Sequence, residues 1–156
     1  MTVVAGLSDL EPKSCLDIKN TDASSKTGLY TIYSQYGSPY SVYCEMDAAG
    51  GGWTLVASIH ENRMDGGRCT IGDRWSSETG NFARNGDSNW ENYNTFGRPE
   101  YATKDDYKNV GYFEMDAKRI MLMQVPNNTP LDLYVAMASY QYYTPSPFLQ
   151  GYGGIV

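Results

Sequence analysis

The sequence predicts one globular domain built on a small antiparallel sheet, with a short helix before the sheet and long, irregular loops after it. Three runs of β-branched and aromatic residues, separated by turn-forming residues, occupy the first third of the 156-residue chain. Residues 61–111 show little periodicity, and so long a stretch inside a compact domain is usually functional or held by ligands. We therefore expect the sheet to be the scaffold and the long stretch to carry the function.

The first predicted element is a short helix that begins after Ser14. Asp17 follows Ser14 by three residues, which is the arrangement of a helix N-cap with a capping box. Two predicted strands follow, at residues 28–33 and 40–46. The sequence Gly37-Ser38-Pro39 between these runs predicts a hairpin turn, so the two strands should pair side by side.

The third predicted strand covers residues 53–59 and comes directly after the glycine triplet at 50–52. Glycine accepts positive φ without steric cost, so the triplet permits a tight reversal of the chain. Together the three runs predict a small antiparallel sheet, and regular structure should resume at residues 112–115 and 120–125. Period-two alternation places four side chains of the third strand on one face: Trp53, Leu55, Ala57 and Ile59.

Composition favours a folded domain and argues against a nucleic-acid-binding surface. Hydrophobic residues make up 41% of the chain, charged residues make up 19%, and the formal net charge is −6. Nucleic-acid binding depends on clustered Lys and Arg that release counterions from phosphates, and we find no basic stripe. Nothing approaches the run of about 18 apolar residues that a membrane helix requires. The first six residues are too short for a secretory signal.

The three cysteines favour an oxidising compartment. A bridge between Cys15 and Cys44 would close a loop of roughly 30 residues and stabilise the fold by about 3 kcal/mol in the chain-entropy model. Cys69 is then a free thiol, half of an intermolecular bridge, or a residue whose partner lies in sequence that is missing. The alternative is three reduced, buried thiols, because free cysteine is commonly a core residue. The glycosylation sequon at residues 127–129 is compatible with secretion.

The long aperiodic stretch concentrates oxygen donors of the kind that calcium prefers. Ca²⁺ takes six to eight oxygen ligands in flexible geometry, and glycine-rich backbone lets carbonyl groups turn inward. The spacing does not match an EF-hand loop, and the alternative is a solvated acidic loop. The donors are His60, Glu61, Asn62, Asp65, Gly66, Gly67, Gly72 and Asp73, with Asp105 and Asp106 downstream.

Enzymatic interpretations fit the sequence poorly, and we expect no catalysis. Zinc hydrolases use several His, Cys or carboxylate ligands, whereas this chain has one His and no His-Glu-x-x-His pattern. A nucleophilic pair of Cys69 and His60 lacks a defined helix N-terminus that would activate the thiol. The tryptophans could stack on sugar rings, but we expect all three to be core anchors: Trp53, Trp75 and Trp90.

Two ordered sets of motifs resemble known families. The first set resembles the start of a fibrinogen-like domain, covers about residues 12–58, and consists of Ser14-Cys15, Gly28-Leu29-Tyr30, Tyr43-Cys44-Glu45-Met46 and Gly51-Gly52-Trp53-Thr54-Leu55-Val56. The second set is similar to the intelectins, also called X-type lectins, and extends the match over about residues 59–156. It consists of His60-Glu61-Asn62, residues 69–77, Asn89-Trp90, residues 92–97, Asp105-Asp106-Tyr107-Lys108-Asn109, Val125-Pro126-Asn127 and Phe148-Leu149-Gln150.

The intelectin resemblance implies a secreted, calcium-dependent lectin of irregular α+β fold with calcium-stabilised loops, in which residues 1–156 form a single domain. Such a lectin recognises exocyclic vicinal diols of microbial glycans through a bound calcium ion. The resemblance also implies that the cysteines matching Cys15 and Cys44 pair. The structural calcium ligands that it implies are His60, Glu61, Gly67, Gly72, Asp73 and Asp106.

Two departures from the intelectin pattern limit what can be carried over. The segment between Asn62 and Cys69 is one residue longer than usual and places its acid at Asp65, so the ligand set around Asp65 and Gly67 stays open. Intelectins are also considerably longer, and their sugar-coordinating residues belong to the half that this chain does not match. We therefore expect either a fragment, as the apolar end at Ile155-Val156 indicates, or a shortened lectin. No residue is assigned to sugar binding.

The competing interpretation is a non-lectin extracellular module. In this alternative the fibrinogen-like start mediates oligomerisation, and the acidic loop is solvated or only structural. The unpaired Cys69 predicts a covalent dimer under oxidising conditions, which would suit a module of this kind as well as a lectin.

Overall fold

The computed structural model describes residues 11–60, 74–75 and 92–144, and its regular elements are short. Within this part of the chain, three antiparallel sheets, three short α-helices and three 3-10 turns (Ala48–Gly50, Pro99–Tyr101 and Leu131–Leu133) make a mixed α+β fold, as predicted. In chain order the elements are α1 (Cys15–Thr21), β1 (Gly28–Tyr33), β2 (Pro39–Glu45), β3 (Trp53–Thr54), β4 (Ala57–Ser58), β5 (Tyr107–Lys108), α2 (Gly111–Glu114), β6 (Met121–Gln124), α3 (Tyr134–Met137) and β7 (Tyr140–Tyr143).

The predicted N-cap of α1 is present. Ser14 has extended backbone angles, and its hydroxyl oxygen accepts a hydrogen bond from the Asp17 amide. The reciprocal bond differs slightly from a capping box, because the Asp17 carboxylate accepts from the Lys13 amide at 2.8 Å, one residue before the cap. Cys15, the first residue of α1, is completely buried. The cap therefore fixes the helix start at the point where the chain enters the core.

The largest sheet has the order β1-β2-β3, and its first two strands form the predicted hairpin. Six residue pairs join the hairpin strands, from Gly28 opposite Cys44 to Tyr33 opposite Pro39. The turn is closed by the Ser34 amide, which donates to the Ser38 carbonyl, and it uses Gly37 at φ +81°. Strand β2 thus begins at Pro39, one residue earlier than predicted, because Pro39 already pairs with Tyr33.

The hydrophobic core lies where this sheet meets α1. A disulfide joins Cys15 to Cys44 across a sequence separation of 29 residues, as the sequence favoured. Both cysteines are fully buried and belong to one cluster with Ile32, Val42 and Met46. Since the two cysteines sit on α1 and β2, the bridge ties the helix to the central strand.

The predicted third strand is wrong in its extent, because the structure divides residues 53–59 between two sheets. Strand β3 pairs with β2, and the Leu55 amide still donates to the Tyr43 carbonyl at 3.0 Å. The Val56 carbonyl then accepts from the Asn109 amide at 3.1 Å, and β4 pairs with β5. The chain changes its hydrogen-bonding partner between Leu55 and Val56, so the four side chains predicted for one face do not share a single strand.

The third sheet pairs β6 with β7, from Met121 opposite Tyr143 to Gln124 opposite Tyr140. Strand β6 and the first turn of α2 lie where the sequence predicted regular structure, whereas β7 and α3 were not predicted. Two tyrosine hydroxyls connect β2 to the segment between β6 and β7: Tyr43 donates to the Leu131 carbonyl, and Tyr134 donates to the Glu45 carboxylate. In the described ranges, no helix is long and apolar enough to cross a membrane.

Candidate functional site

The candidate site forms where β4 and β5 bring distant parts of the chain together. Ser58 pairs with Tyr107, so the residues after Ser58 lie beside the residues before Tyr107. His60 follows β4 by two residues, and Asp106 immediately precedes β5. Two residues from the predicted calcium set, 46 positions apart, therefore come into direct contact.

Asp106 is a buried carboxylate that binds backbone amides on both sides of residues 61–73. One carboxylate oxygen accepts from the His60 amide at 2.7 Å, and the other accepts from the Arg74 amide at 2.8 Å. Only 1% of Asp106 is exposed. Hydrogen bonds from backbone amides to an ionised carboxylate are stronger than neutral ones, and here they compensate for burial of the charge. We call Asp106 with the two amides the Asp106 clamp.

Neighbouring groups fix the position of Asp106. The Asp106 amide donates to the side chain of Asp105, whose carboxylate also lies 3.3 Å from the Arg74 guanidinium. The Asp105 carbonyl accepts from the Ser58 hydroxyl at 3.0 Å. Gly97, at φ +74°, passes directly over the Asp106 carbonyl, and a Cβ at this glycine would overlap that carbonyl oxygen. The close approach of the two backbones thus requires glycine.

The His60 side chain connects the Asp106 clamp to two further segments. Its Nε2 atom lies 2.7 Å from the Ala102 carbonyl oxygen, which requires Nε2 to donate. Its Nδ1 atom lies 3.1 Å from the side-chain amide of Asn127, the first residue of the sequon. With 6% of the residue exposed, His60 is a buried positioning group. Because the imidazole carries no oxygen, any ligand oxygen that His60 offers is on its backbone.

An aromatic cluster lies next to the clamp and supports it. Trp75 is fully buried, and its indole nitrogen donates to the Ser58 carbonyl at 2.8 Å. Lys108 lies among the rings of Trp75, Tyr112 and Phe113, and its ammonium donates to the Asn92 carbonyl. Burial lowers the pKa of Lys108. Trp75 is a core anchor, as the sequence predicted.

The chemistry of Asp106 is compatible with a calcium ligand. Among the described residues, each carboxylate oxygen accepts one amide hydrogen, whereas a carboxylate offers about four acceptor positions in total. Within residues 11–60, 74–75 and 92–144, however, no group of three or more His, Cys, Asp or Glu side chains could hold a metal ion. A calcium site at Asp106 would need further oxygen donors, from backbone carbonyls or from residues outside the described ranges.

The other predicted calcium ligands are not tested by this structure. Glu61, Gly67, Gly72 and Asp73 lie outside the described residues, as do Asp65 and Cys69. The predicted set therefore stays a prediction, with His60 and Asp106 as the two members whose contact is described.

Sequence reasoning missed three contributors to this region. The backbone amide of Arg74, the side chain of Asn127 and the carbonyl of Ala102 all bind predicted site residues. Backbone donors carry no residue-type signal, so sequence could not indicate the first and third. Asn127 was noticed as part of a sequon and of the motif Val125-Pro126-Asn127, and nothing in the sequence placed it beside His60.

Comparison with known proteins identifies the first part of the chain. Residues 11–100 match the family model described as fibrinogen beta and gamma chains, C-terminal globular domain. The chain is 35% identical over 71 residues to the fibrinogen beta chain of Petromyzon marinus, which is 44% of this chain and 14% of that protein. It is 38% identical over 74 residues to tenascin-N of Mus musculus, covering 46% of this chain and 4% of the relative.

A third relative also matches the chain over a limited stretch. Angiopoietin-1 of Canis lupus familiaris is 35% identical over 54 residues, or 34% of this chain and 11% of that protein. The chain therefore spans only a small part of the length of each of these three relatives.

Proposed function

This chain belongs to the family of the C-terminal globular domain of fibrinogen beta and gamma chains, and we propose that it is an extracellular, calcium-dependent carbohydrate-binding domain of the intelectin type. Its ligands would be microbial glycans with exocyclic vicinal diols. We propose no catalytic role. The intelectin-like motifs beyond residue 59 support this choice within the family, and the Asp106 clamp gives it a physical basis.

The observation that carries the proposal is the position of the buried Asp106 carboxylate. It binds the residue before the oxygen-rich segment 61–73 and the residue after it. Backbone carbonyls of Gly67 and Gly72 and carboxylates of Glu61 and Asp73 are hard oxygen donors that suit Ca²⁺ together with Asp106 and the His60 backbone. When bound, calcium would supply a positive charge that neutralises these carboxylates and holds the segment together.

The disulfide supports an extracellular location. The intrachain bridge between Cys15 and Cys44 is typical of an oxidising environment. The unpaired Cys69 in the sequence would then be able to form an intermolecular bridge, so we also propose a disulfide-linked oligomer.

Electrophoresis without reducing agent tests the proposed oligomer. A Cys69→Ser chain should run as a monomer, while the parent chain should run as a dimer or larger species.

The calcium scaffold is tested by thermal unfolding in calcium and in chelator. A ligand that binds only the folded state raises its stability, by about 2.7 kcal/mol at a concentration 100 times its Kd. We expect calcium to raise the Tm of the parent chain and to have no effect on Asp73→Ala. The exposed Asp132→Ala variant is the matched control and should respond like the parent. If calcium does not change the Tm of the parent chain, the proposal that calcium stabilises this fold is wrong.

Carbohydrate binding is tested on a glycan array with the folded chain, in calcium and in chelator side by side. Binding to diol-bearing microbial glycans that disappears in chelator would establish the lectin function within these residues. A folded chain that binds calcium but no glycan would show that this chain supplies the scaffold without the recognition site.

A second function is favoured by the relatives themselves. The three relatives carry the names of a fibrinogen chain, a tenascin and an angiopoietin, and none of these names describes a lectin. The chain would then be a structural or oligomerisation module with no metal requirement. Unfolding that is independent of calcium, together with self-association through Cys69, would favour this function over the lectin.

A further inference from the structure

The turn after β6 contains the one glycosylation sequon of this sequence, Asn127-Asn128-Thr129. A sequon marks an asparagine whose side-chain nitrogen can receive an oligosaccharide, and in secreted proteins such an asparagine lies in a surface loop. The calcium-dependent function proposed above makes no use of this motif. The structure describes all three residues and shows how each is placed.

Asn127 occupies an exposed corner of a tight turn. The Pro126 carbonyl accepts a hydrogen bond from the Thr129 amide at 3.2 Å, so residues 126–129 form the turn. Asn128, at the second central position, has φ +64°. Asn127 is exposed, whereas only 5% of Thr129 is exposed. The turn therefore presents the asparagine of the sequon to solvent and directs its threonine inward.

The side chain of Asn127 contacts His60 through its oxygen atom. Asn127 Oδ1 lies 3.1 Å from His60 Nδ1. The oxygen and nitrogen of a side-chain amide lie on opposite sides of the carbon that carries them, so the nitrogen is directed away from His60. N-linked attachment uses the nitrogen and leaves the oxygen unchanged. A sugar on Asn127 is therefore compatible with the contact to His60.

Thr129 is held inside the fold by several hydrogen bonds. Its hydroxyl donates to the Pro126 carbonyl at 2.6 Å, and its carbonyl accepts from the Thr103 hydroxyl. The neighbouring Asn128 amide donates to the Thr103 carbonyl at 2.7 Å. The motif requires Ser or Thr at the third position, which means that the transferring enzyme reads a hydroxyl there. In the closed turn this hydroxyl is buried and already bonded, so the enzyme cannot reach it.

We propose that Asn127 carries an N-linked oligosaccharide, and that the oligosaccharide is attached before the turn closes. This inference rests on the extracellular location proposed above and is independent of calcium. The donor is an oligosaccharide joined to a lipid through a diphosphate. Asn127 Nδ2 forms a bond to C1 of the first sugar and loses one proton. The bond from C1 to the diphosphate oxygen breaks, and its electron pair leaves with the diphosphate.

Occupancy is tested by mass spectrometry of the chain secreted from mammalian cells behind a cleavable signal peptide. Peptide-N-glycosidase F in oxygen-18 water converts a glycosylated asparagine into labelled aspartate, and we expect the label at Asn127. Asn127→Gln and Thr129→Val should lose the glycan, whereas Thr129→Ser should keep it because the hydroxyl is retained. Asn94→Gln is the matched control, since Asn94 is exposed and outside any sequon.

The order of events is tested with purified oligosaccharyltransferase and its lipid-linked donor, acting on unglycosylated chain made in bacteria. The folded chain is compared with the same chain after reduction and alkylation, which blocks refolding because Cys15 and Cys44 are fully buried. We expect the folded chain to be modified at least about tenfold more slowly, because the turn must first open.

Labelled Asn127 in the secreted chain, with slow modification of the folded chain, supports the proposal. A secreted chain with unmodified Asn127 overturns it, and equal rates for the folded and the alkylated chain overturn the order of events. Neither readout depends on calcium or on glycan binding. Failure of the lectin function therefore leaves this test unchanged.

Discussion

Asp106 shows how one buried side chain can organise residues that are distant in sequence. Its two oxygens bind the amides of His60 and Arg74, so a single carboxylate connects the end of β4, the start of β5 and the dipeptide Arg74-Trp75. The family resemblance indicated Asp106 and His60 as site residues. It could not indicate that they are joined through a backbone amide, because an amide is the same in every residue.

We predict that Asp106→Asn destabilises the fold by about 2–3 kcal/mol. The amide side chain keeps one acceptor oxygen, but its NH₂ group then faces a backbone donor, and the charge that strengthened both bonds is lost. Urea unfolding in chelator measures this effect without any contribution from calcium.

The matched control for Asp106→Asn is Asp132→Asn, at an exposed carboxylate. A surface change of this kind should alter stability by less than about 0.5 kcal/mol. Equal stability of the two variants would show that the Asp106 carboxylate is not a structural clamp.

At the scale of elements, capping and turn residues predicted a helix and a hairpin formed by neighbouring residues. The prediction failed between Leu55 and Val56, where the strand changes its hydrogen-bonding partner. The start of α1 and the β1–β2 hairpin depend on neighbours in sequence, namely the Ser14 cap and the turn before Pro39, and both were predicted. The division of residues 53–59 depends on Asn109, whose backbone amide binds the Val56 carbonyl from 53 residues away. Strand periodicity carries no information about such a distant partner, so the sequence predicted one continuous strand.

The reversal between β2 and β3 gives a prediction at this scale. Gly50 and Gly51 both have positive φ, at +89° and +69°. A Cβ at Gly51 would overlap the Met46 carbonyl, whereas a Cβ at Gly50 has no atom within 4 Å. We predict that Gly50→Ala costs about 1 kcal/mol from backbone strain alone, and that Gly51→Ala costs more than about 3 kcal/mol because the turn must also open.

Urea unfolding of these two glycine variants measures the difference, and Gly50→Ala is the internal control for strain. Similar losses in both variants would mean that positive φ dominates and that contact with Met46 is relieved at little cost. A much larger loss for Gly51→Ala would confirm that the backbone at residue 51 lies too close to the Met46 carbonyl for any side chain.

At the scale of the whole molecule, buried tyrosines link several elements to the core. Burial is the main cause that raises the pKa values of Tyr40, Tyr43 and Tyr107 to about 12, from an ordinary value of 10.0. Neighbouring carboxylates add to the effect at Tyr40 and Tyr43. The folded protein therefore holds these phenols in the neutral form at pH values where the unfolded chain ionises them.

The sign of the resulting pH dependence follows directly. Stability from these tyrosines is fully present below pH 10, and it is lost as the pH rises from 10 to 12. Lys108 acts in the opposite direction, because burial lowers its pKa, but burial also raises the pKa values of Tyr112 and Tyr134, so Lys108 is one group against five. We predict that the free energy of unfolding falls steeply over this range.

Chemical denaturation at a series of pH values, with tyrosinate absorbance as a second signal, measures this fall. Tyr43→Phe removes one of these ionisable groups and should make the fall shallower. A free energy of unfolding that stays constant from pH 10 to pH 12 would contradict the burial of these hydroxyls.

The buried disulfide has one further consequence, which concerns kinetics. Both sulfur-bearing residues are fully inaccessible, so a reductant such as dithiothreitol can attack the bridge only when the region around α1 and β2 opens. At high reductant concentration, every opening leads to a cleaved bridge, and the rate at which two thiols are released equals the rate of opening. The rate of thiol release therefore measures how often the region around α1 and β2 opens in the native protein. The measurement needs no denaturant.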